Sequence, residues 1–270
     1  MHTHIQGIAK KIHYWLIVAT VILLSACASE HHKSSPMVYV ESANPMQDVQ
    51  NGLNKALSNN KRLLLVMGAQ WCHDSRGLAS NFATPEMLAI TNAHYEVVYV
   101  DVGYFKDLRA ITERFSQPHY FATPTVMIID PKTETLLNAS DMSIWGSADS
   151  LALSEYLAYF SRYSAKNSPA DIVQQTINNE QKMTREARNQ LQAFSKFQAQ
   201  RLTRAYAVLV PNMIKEDETQ QANQVFFDQW GEVRKFRMAL QKDLQALRER
   251  ARTEPLSQLE LPTYPPFSWE

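Results

Sequence analysis

One cysteine of the chain, Cys72, occupies a position where a thiol can be chemically active. An apolar run at 63–67 has the pattern of a strand buried on both faces, and an apolar helical face resumes at Leu78 and Phe82. Cys72 therefore falls at the start of a helix, where unpaired backbone amides and the helix dipole favour the nucleophilic thiolate. A buried cysteine that only fills space is the plainer alternative. The strand-to-helix junction beside Trp71 favours the reactive interpretation.

The two residues after Cys72 act on the same thiol in opposite directions. His73 favours the thiolate when it is protonated, whereas the carboxylate of Asp74 opposes the formation of a second negative charge. The sequence leaves the net effect of this pair open.

Alternating strand and helix patterns surround Cys72 between residues 37 and 164. Apolar runs at 97–100 and 125–129 repeat the pattern of the run at 63–67, and Thr84–Pro85 predicts an N-cap followed by a first-turn proline. Two further segments carry apolar residues at helical spacing, namely Leu108, Ile111 and Phe115, and then Leu153, Tyr156, Leu157 and Phe160. This alternation predicts one layered α/β domain with parallel strand pairs.

The order of the motifs in this segment resembles the thioredoxin superfamily. Three motifs follow one another as they do in that family: Trp71–Cys72 after a strand, Thr123–Pro124 at the start of a later strand, and Trp145–Gly146 before the last helix. The resemblance covers residues 38–164 and implies an α/β thioredoxin-like fold, in which helices flank a central mixed sheet. It also implies that Pro124 is a cis-proline facing a catalytic Cys72, and that Trp71, His73 and Thr123 contribute to a substrate groove.

Two departures from the family pattern change the expected chemistry. Ser75 replaces the second cysteine of Cys-x-x-Cys, and Val66 replaces the buried acid that precedes the motif in thioredoxins. A neutral hydroxyl is a poor nucleophile towards sulfur, so a mixed disulfide at Cys72 needs an external thiol to resolve it. We assign Ser75 a supporting catalytic role, in which its hydroxyl donates a hydrogen bond to the Cys72 thiolate. The expected partners are cysteine-containing envelope proteins or small thiols.

The other cysteine, Cys27, follows an export signal. Lys10 and Lys11 precede an apolar run at 14–24, which is shorter than the roughly 20 residues that a membrane-spanning helix needs. The tetrad at 24–27, Leu-Ser-Ala-Cys, resembles the lipobox of bacterial lipoproteins, which implies cleavage after residue 26 and diacylation of Cys27. An ordinary secretory signal with a chance cysteine is the alternative.

The lipobox resemblance also implies a location. Acyl chains on Cys27 anchor a protein strongly, since each buried methylene contributes about 0.8 kcal/mol. Ala28 and Ser29 follow the cysteine where inner-membrane lipoproteins carry Asp. We therefore expect a lipid-anchored protein of the bacterial cell envelope, in the outer membrane and facing the periplasm. Residues 27–36 then form a polar tether, in which His31 and His32 have no nearby third metal ligand.

Residues 165–254 have the pattern of a helical extension. A first set of apolar positions comprises Ile172, Val173 and Ile177, and a second comprises Leu191, Phe194, Phe197 and Leu202. Pro211 predicts a helix break. Beyond it, heptad-like spacing places Phe226, Trp230, Val233, Leu240, Leu244, Leu247 and Ala251 on one seam, with Arg237 or Phe236 at the missing step.

Two long helices in an antiparallel hairpin would bury this seam. We expect the hairpin to pack on the preceding domain or on itself, with self-association or partner binding through the apolar stripe as the alternative. The Pro-rich tail at 255–270 is expected to be extended, either free or against a surface.

The composition excludes several classes of protein. With 270 residues and 45% hydrophobic residues, the chain can bury a substantial core, which argues against wholesale disorder. Its 27 basic and 27 acidic residues give no global attraction to nucleic acid. No phosphate-binding loop, zinc-ligand spacing or serine nucleophile elbow is present. We therefore expect no cofactor, no metal and no nucleic-acid partner.

Three functions fit these observations. The first is a monothiol disulfide oxidoreductase or isomerase that forms transient mixed disulfides through Cys72. The second is a non-catalytic peptide-binding protein that uses the groove beside Pro124 and Trp71. The third is an assembly lipoprotein that acts through its helical extension. The sequence does not decide among them, because one fold supports many functions.

Overall fold

A computed structural model describes residues 36–164 and 169–270, all within one compact unit. The predicted signal peptide at 1–26, Cys27 and the tether up to residue 35 lie outside the described residues, so these assignments stay predictions. No helix of the described part of the chain combines the length and the apolar character needed to cross a membrane.

A four-stranded mixed sheet forms the centre of the domain that carries Cys72. Its strands are β1 (Arg62–Gly68), β2 (Tyr95–Asp101), β3 (Thr125–Asp130) and β4 (Thr135–Leu136), in the spatial order β2-β1-β3-β4. β1 pairs parallel with β2 and antiparallel with β3, and β4 pairs antiparallel with β3. The sheet is therefore mixed, as the resemblance implied.

In the described residues up to 164, five α-helices and one long 3₁₀ segment accompany the sheet. The helices are α1 (Pro45–Ser58), α2 (His73–Phe82), α3 (Pro85–His94), α4 (Arg109–Arg114) and α5 (Leu153–Arg162), and the 3₁₀ segment spans Met142–Ser150. The prediction at Thr84–Pro85 is confirmed: the Thr84 side chain accepts from Met87 N, and Pro85 occupies the first turn of α3. We refer to β1–β4 with α1–α5 as the sheet domain.

Alternate residues of β1 face two separate cores. Leu63 and Leu65 pack among residues of α1, α4 and the C-terminal helices, whereas Leu64 and Val66 pack among residues of α2, α3 and α5. All four are fully buried. The continuous apolar run therefore marks a central strand covered on both faces.

The second half of the described chain is helical, as expected. It contains α6 (Pro169–Lys182), α7 (Arg185–Thr219), α8 (Gln224–Arg250) and a short 3₁₀ turn (Leu256–Gln258). We call α7 and α8 the helical hairpin. Its predicted seam is buried from Val233 to Ala251, with both Phe236 and Arg237 inward, whereas Phe226 and Trp230 at its start are partly buried. The seam packs on the sheet domain, where Tyr206 and Leu240 join the core that contains Phe105.

Two expectations for α7 are wrong. Pro211 lies inside the helix, which continues to Thr219, because Leu209 on one side and Met213 on the other both pack against the core. Phe197 is exposed, with 58% of its surface accessible, because the buried stripe of α7 passes through its neighbour Gln198.

The Pro-rich tail packs back on the hairpin. Phe267 is buried and contacts Phe236 edge-to-face. The Arg201 guanidinium stacks over the Phe267 ring, donates to Pro265 O at 2.6 Å and pairs with Glu270 at 2.9 Å. Of the two predicted arrangements of the tail, the one against a protein surface is observed.

Candidate active site around Cys72

Cys72 is the N-cap residue of α2 and is partly exposed. Its backbone N–H donates to Ala69 O, and its carbonyl accepts from Arg76 N, so the loop after β1 enters the helix through Cys72 itself. The Sγ atom lies 2.9 Å from Thr123 O and donates to it. The strand-to-helix junction inferred from the sequence is thus present, with the sulfur at the end of the helix where backbone amides point outwards.

The segment that faces Cys72 contains a cis peptide bond between Thr123 and Pro124. Thr125 Oγ1 closes this turn by donating to Ala122 O at 2.7 Å and accepting from Ala122 N. Thr123 and Pro124 are both buried, so the Thr123 carbonyl is presented to the sulfur by a fixed backbone. The structure therefore brings together Cys72, Thr123 and Pro124, as the resemblance implied.

Ser75 lies beneath the site instead of facing the thiol. Its side chain is fully buried, and Oγ accepts a hydrogen bond from Ala69 N at 3.3 Å. Its carbonyl accepts from the hydroxyl of Tyr39, whose pKa is raised mainly by burial. No hydrogen bond joins Ser75 to Cys72 in this described region, so Ser75 braces the loop before the helix.

Trp71 forms one wall of the site. Its indole Nε1 donates to Gly103 O at 2.8 Å, and its ring meets Phe105 edge-to-face at 5.1 Å. Arg76, which the sequence analysis did not single out, donates to the carbonyls of Gln70 and Trp71. No sequence motif indicates this role of Arg76, because its acceptors are backbone atoms.

His73 and Asp74 both contact Asp149 at the rim of the site. His73 Nε2 lies 3.2 Å from Asp149 Oδ2, and Asp74 Oδ1 accepts from Asp149 N at 3.1 Å. The His73 side chain is 72% exposed. Both side chains therefore connect the start of α2 to the 3₁₀ segment and leave the sulfur open to the cleft.

An open cleft of about 890 Å³ lies over Cys72. The sheet domain contributes Trp71, Cys72, Thr123 and Gly146 to its lining, and the helical hairpin contributes Met213, Asp217, Trp230 and Arg237. The two parts are joined at the rim, where the Tyr104 hydroxyl donates to Asp217 at 2.6 Å. We call this space the Cys72 cleft. The sequence analysis did not assign the hairpin residues to the site, because they lie far from Cys72 along the chain.

Metal chemistry receives no support from the described residues. Among them, no three side chains of His, Cys, Asp or Glu are grouped so that they could hold a metal ion. His31 and His32 lie outside this part of the chain, so the prediction about them stays untested.

A match to a known protein family identifies the fold of this domain. Residues 44–131 match a protein-family model described as thioredoxin-like. A solved structure of a disulphide isomerase from Xylella fastidiosa Temecula1 is similar, with 24% sequence identity and a TM-score of 0.44, over 47% of this chain and 96% of that one. No curated protein matches the chain. The family match and the mixed sheet show that the domain carrying Cys72 has a thioredoxin-like fold.

Proposed function

We propose that this protein carries out thiol–disulfide exchange with cysteine-containing proteins of the bacterial envelope, through Cys72 as a single nucleophile. The observation that carries the proposal is the position of the sulfur. Cys72 is the N-cap residue of α2, its Sγ lies 2.9 Å from the Thr123 carbonyl that precedes the cis Pro124, and Cys72 lines an open cleft of about 890 Å³. Accessibility and a helix N-terminus are what a reactive thiol needs.

The reaction has two exchange steps, and neither needs an external oxidant. The Cys72 thiol loses its proton to water, and the thiolate attacks one sulfur of a partner disulfide, releasing the other sulfur as a thiolate. An external thiolate then attacks the mixed disulfide and releases Cys72. Ser75 lacks a thiol and is fully buried, which supports the need for an external resolving thiol.

The envelope location forms part of the proposal and depends on Cys27. Acylation of Cys27 would hold the protein at the outer membrane and consume its thiol. Cys72 would then be the one free thiol of the mature chain, since the sequence contains two cysteines. Metabolic labelling with a fatty acid tests this part: we expect label in the wild type and none in Cys27→Ser.

Alkylation kinetics test the reactivity of Cys72 directly. In a full chain that carries Cys27→Ser, we expect iodoacetamide to label Cys72 at neutral pH faster than it labels a small model thiol, because the helix amides favour the thiolate. The double variant Cys27→Ser/Cys72→Ser is the control and should take up no label. Labelling no faster than the model thiol would contradict the redox proposal.

Trapping in cells tests whether the thiol has partners. We expect wild-type protein to give mixed-disulfide bands on a non-reducing gel, and Cys72→Ser to give none. The alternative is a non-catalytic peptide-binding protein, which the hairpin wall of the Cys72 cleft favours. In that case partners would bind Cys72→Ser as well as wild type, and no band would depend on the thiol.

A further inference from the structure

Arg237 is an internal cation of the helical hairpin with no anionic partner among the described residues. Its side chain is only 9% exposed, and neither Nε nor Nη1 makes a hydrogen bond. The guanidinium lies over the Trp230 ring at 4.5 Å. Its polar neighbour is the Tyr206 hydroxyl, whose pKa is raised by burial and partly lowered by the Arg237 charge. That hydroxyl is neutral at physiological pH and cannot balance the cation.

Arg237 lines the same cleft as Cys72. A chain of ring contacts connects the two: Trp71 meets Phe105 at 5.1 Å, and Phe105 stacks on Trp230 at 5.6 Å. A buried guanidinium normally pairs with a carboxylate or a phosphate, because an unpaired charge loses its hydration without compensation. The cleft is the open side from which such an anion could arrive.

The acids of the cleft do not supply this anion. Asp74 already accepts from Asp149 N, and Asp217 accepts from the Tyr104 hydroxyl. Glu216 and Asp217 belong to the last turn of α7, beside the turn that joins α7 to α8. Arg237 lies about three and a half turns into α8, so these carboxylates are displaced from it along the hairpin.

We propose that Arg237 binds the carboxylate of a small, peptide-sized thiol that enters the Cys72 cleft and resolves mixed disulfides at Cys72. This inference rests on the proposed exchange reaction and names the class of its second substrate. A small molecule can reach a guanidinium that lies inside a cleft, whereas the surface of a folded partner protein reaches it less easily. The chemical step is balanced: the thiolate of the small molecule attacks the partner's sulfur, a new disulfide forms between them, and Cys72 leaves as a thiolate.

A matched pair of thiols tests the proposal. In the full chain with Cys27→Ser, Cys72 is activated with 2,2′-dithiodipyridine and then converted with 2-mercaptoethanol to a plain alkyl mixed disulfide, which releases pyridine-2-thione. Glutathione and glutathione diethyl ester then attack the mercaptoethanol sulfur and displace Cys72, and the return of unmodified Cys72 is followed by mass spectrometry. Each rate is normalised to thiolate concentration and to the rate with a small mercaptoethanol disulfide in solution. We expect glutathione to react about tenfold faster than its ester, the low end of what a hydrogen bond to a charged group contributes.

Variants and a competitor assign the effect to Arg237. Arg237→Met should remove the preference, whereas Lys235→Gln, an exposed position on the same helix, should keep it. If Arg237→Met does not fold, S-methylglutathione serves as a probe without a thiol and should slow the reaction of wild type with glutathione. Equal normalised rates for glutathione and its diethyl ester, or no inhibition by S-methylglutathione, would overturn the role of Arg237 and leave the proposed exchange reaction standing. Failure to form any mixed disulfide would overturn the exchange reaction and this inference with it.

Discussion

At the residue scale, Cys72 and Ser75 have separate tasks. Cys72 Sγ contacts the Thr123 carbonyl and the cleft, whereas the Ser75 hydroxyl binds Ala69 N inside the fold. The sequence predicts the location of the reactive thiol because strand, Trp71, cysteine and helix are adjacent in the chain. It does not predict the hydrogen bond of Ser75, because the direction of a hydroxyl depends on the folded loop.

Replacing Ser75 by Cys tests the monothiol mechanism. Ser75→Cys places a second sulfur one helical turn after Cys72, so an intramolecular disulfide becomes possible. We expect this variant to catalyse insulin reduction by dithiothreitol, and the wild type to show only the uncatalysed rate. The assay follows insulin precipitation by turbidity.

Ser75→Ala is the matched control for this substitution. It removes the Ala69 hydrogen bond and should lower the free energy of unfolding by about 1 kcal/mol without giving any reductase activity. Strong insulin reduction by the wild-type protein would mean that Cys72 needs no second thiol, contrary to the proposed mechanism.

At the element scale, local signals predict some helix boundaries and miss others. Thr84–Pro85 marks the start of α3 because capping depends on neighbouring residues alone. Pro211 gives a misleading signal, because packing on both sides of it keeps α7 continuous. The buried stripe of α8 follows from heptad-like spacing, whereas the exposure of Phe197 depends on how α7 is rotated against the sheet domain.

Replacing Pro211 by Ala tests the interpretation of α7. Alanine restores an N–H at this position and removes the clash of the proline ring with the preceding turn. We expect the free energy of unfolding to rise by up to about 3 kcal/mol, measured by urea denaturation. Pro85→Ala is the control, since proline is favoured in the first turn of a helix, and it should give little change. A loss of stability in Pro211→Ala would show that the helix needs its proline.

At the scale of the whole molecule, the sheet domain and the helical hairpin share a core, and His119 lies where they meet. Its ring is 1% exposed, with Nδ1 at 2.9 Å from Tyr120 O and Nε2 at 3.3 Å from Thr203 Oγ1 on α7. Burial lowers the pKa of His119 to about 4, from an ordinary value of 6.5. Nearby Asp107 favours the charged form, and Arg109 and Arg237 oppose it, with smaller effects than burial.

This buried histidine should make the protein sensitive to acid. Between pH 6.5 and pH 4 the unfolded chain binds a proton at His119 and the folded chain does not, so stability falls as the pH falls. The loss amounts to about 3 kcal/mol over this interval.

Urea denaturation at several pH values tests this role of His119. The free energy of unfolding should fall less steeply with falling pH in His119→Asn than in wild type, whatever the stability of the variant at neutral pH. An unchanged decline in His119→Asn would contradict the assignment.

The sequence did not predict that the sheet domain and the helical hairpin together form the Cys72 cleft. Trp71 and Trp230 lie far apart in the chain, and only the packing of α8 on the sheet domain places both against Phe105. A helical stripe indicates burial, but its pattern does not identify the surface that covers it. The site residues inferred from the sequence therefore all come from the sheet domain.

The aromatic lining gives the cleft an optical property of its own. Of the tryptophans among the described residues, Trp71 and Trp230 line the cleft, whereas Trp145 is buried in the opposite core and Trp269 lies beside Phe267 in the tail. Indole fluorescence depends on local polarity and charge, and the Arg237 cation lies directly over the Trp230 ring. A ligand that enters the cleft or neutralises Arg237 changes the emission of these two residues, so occupancy can be followed without attaching a label.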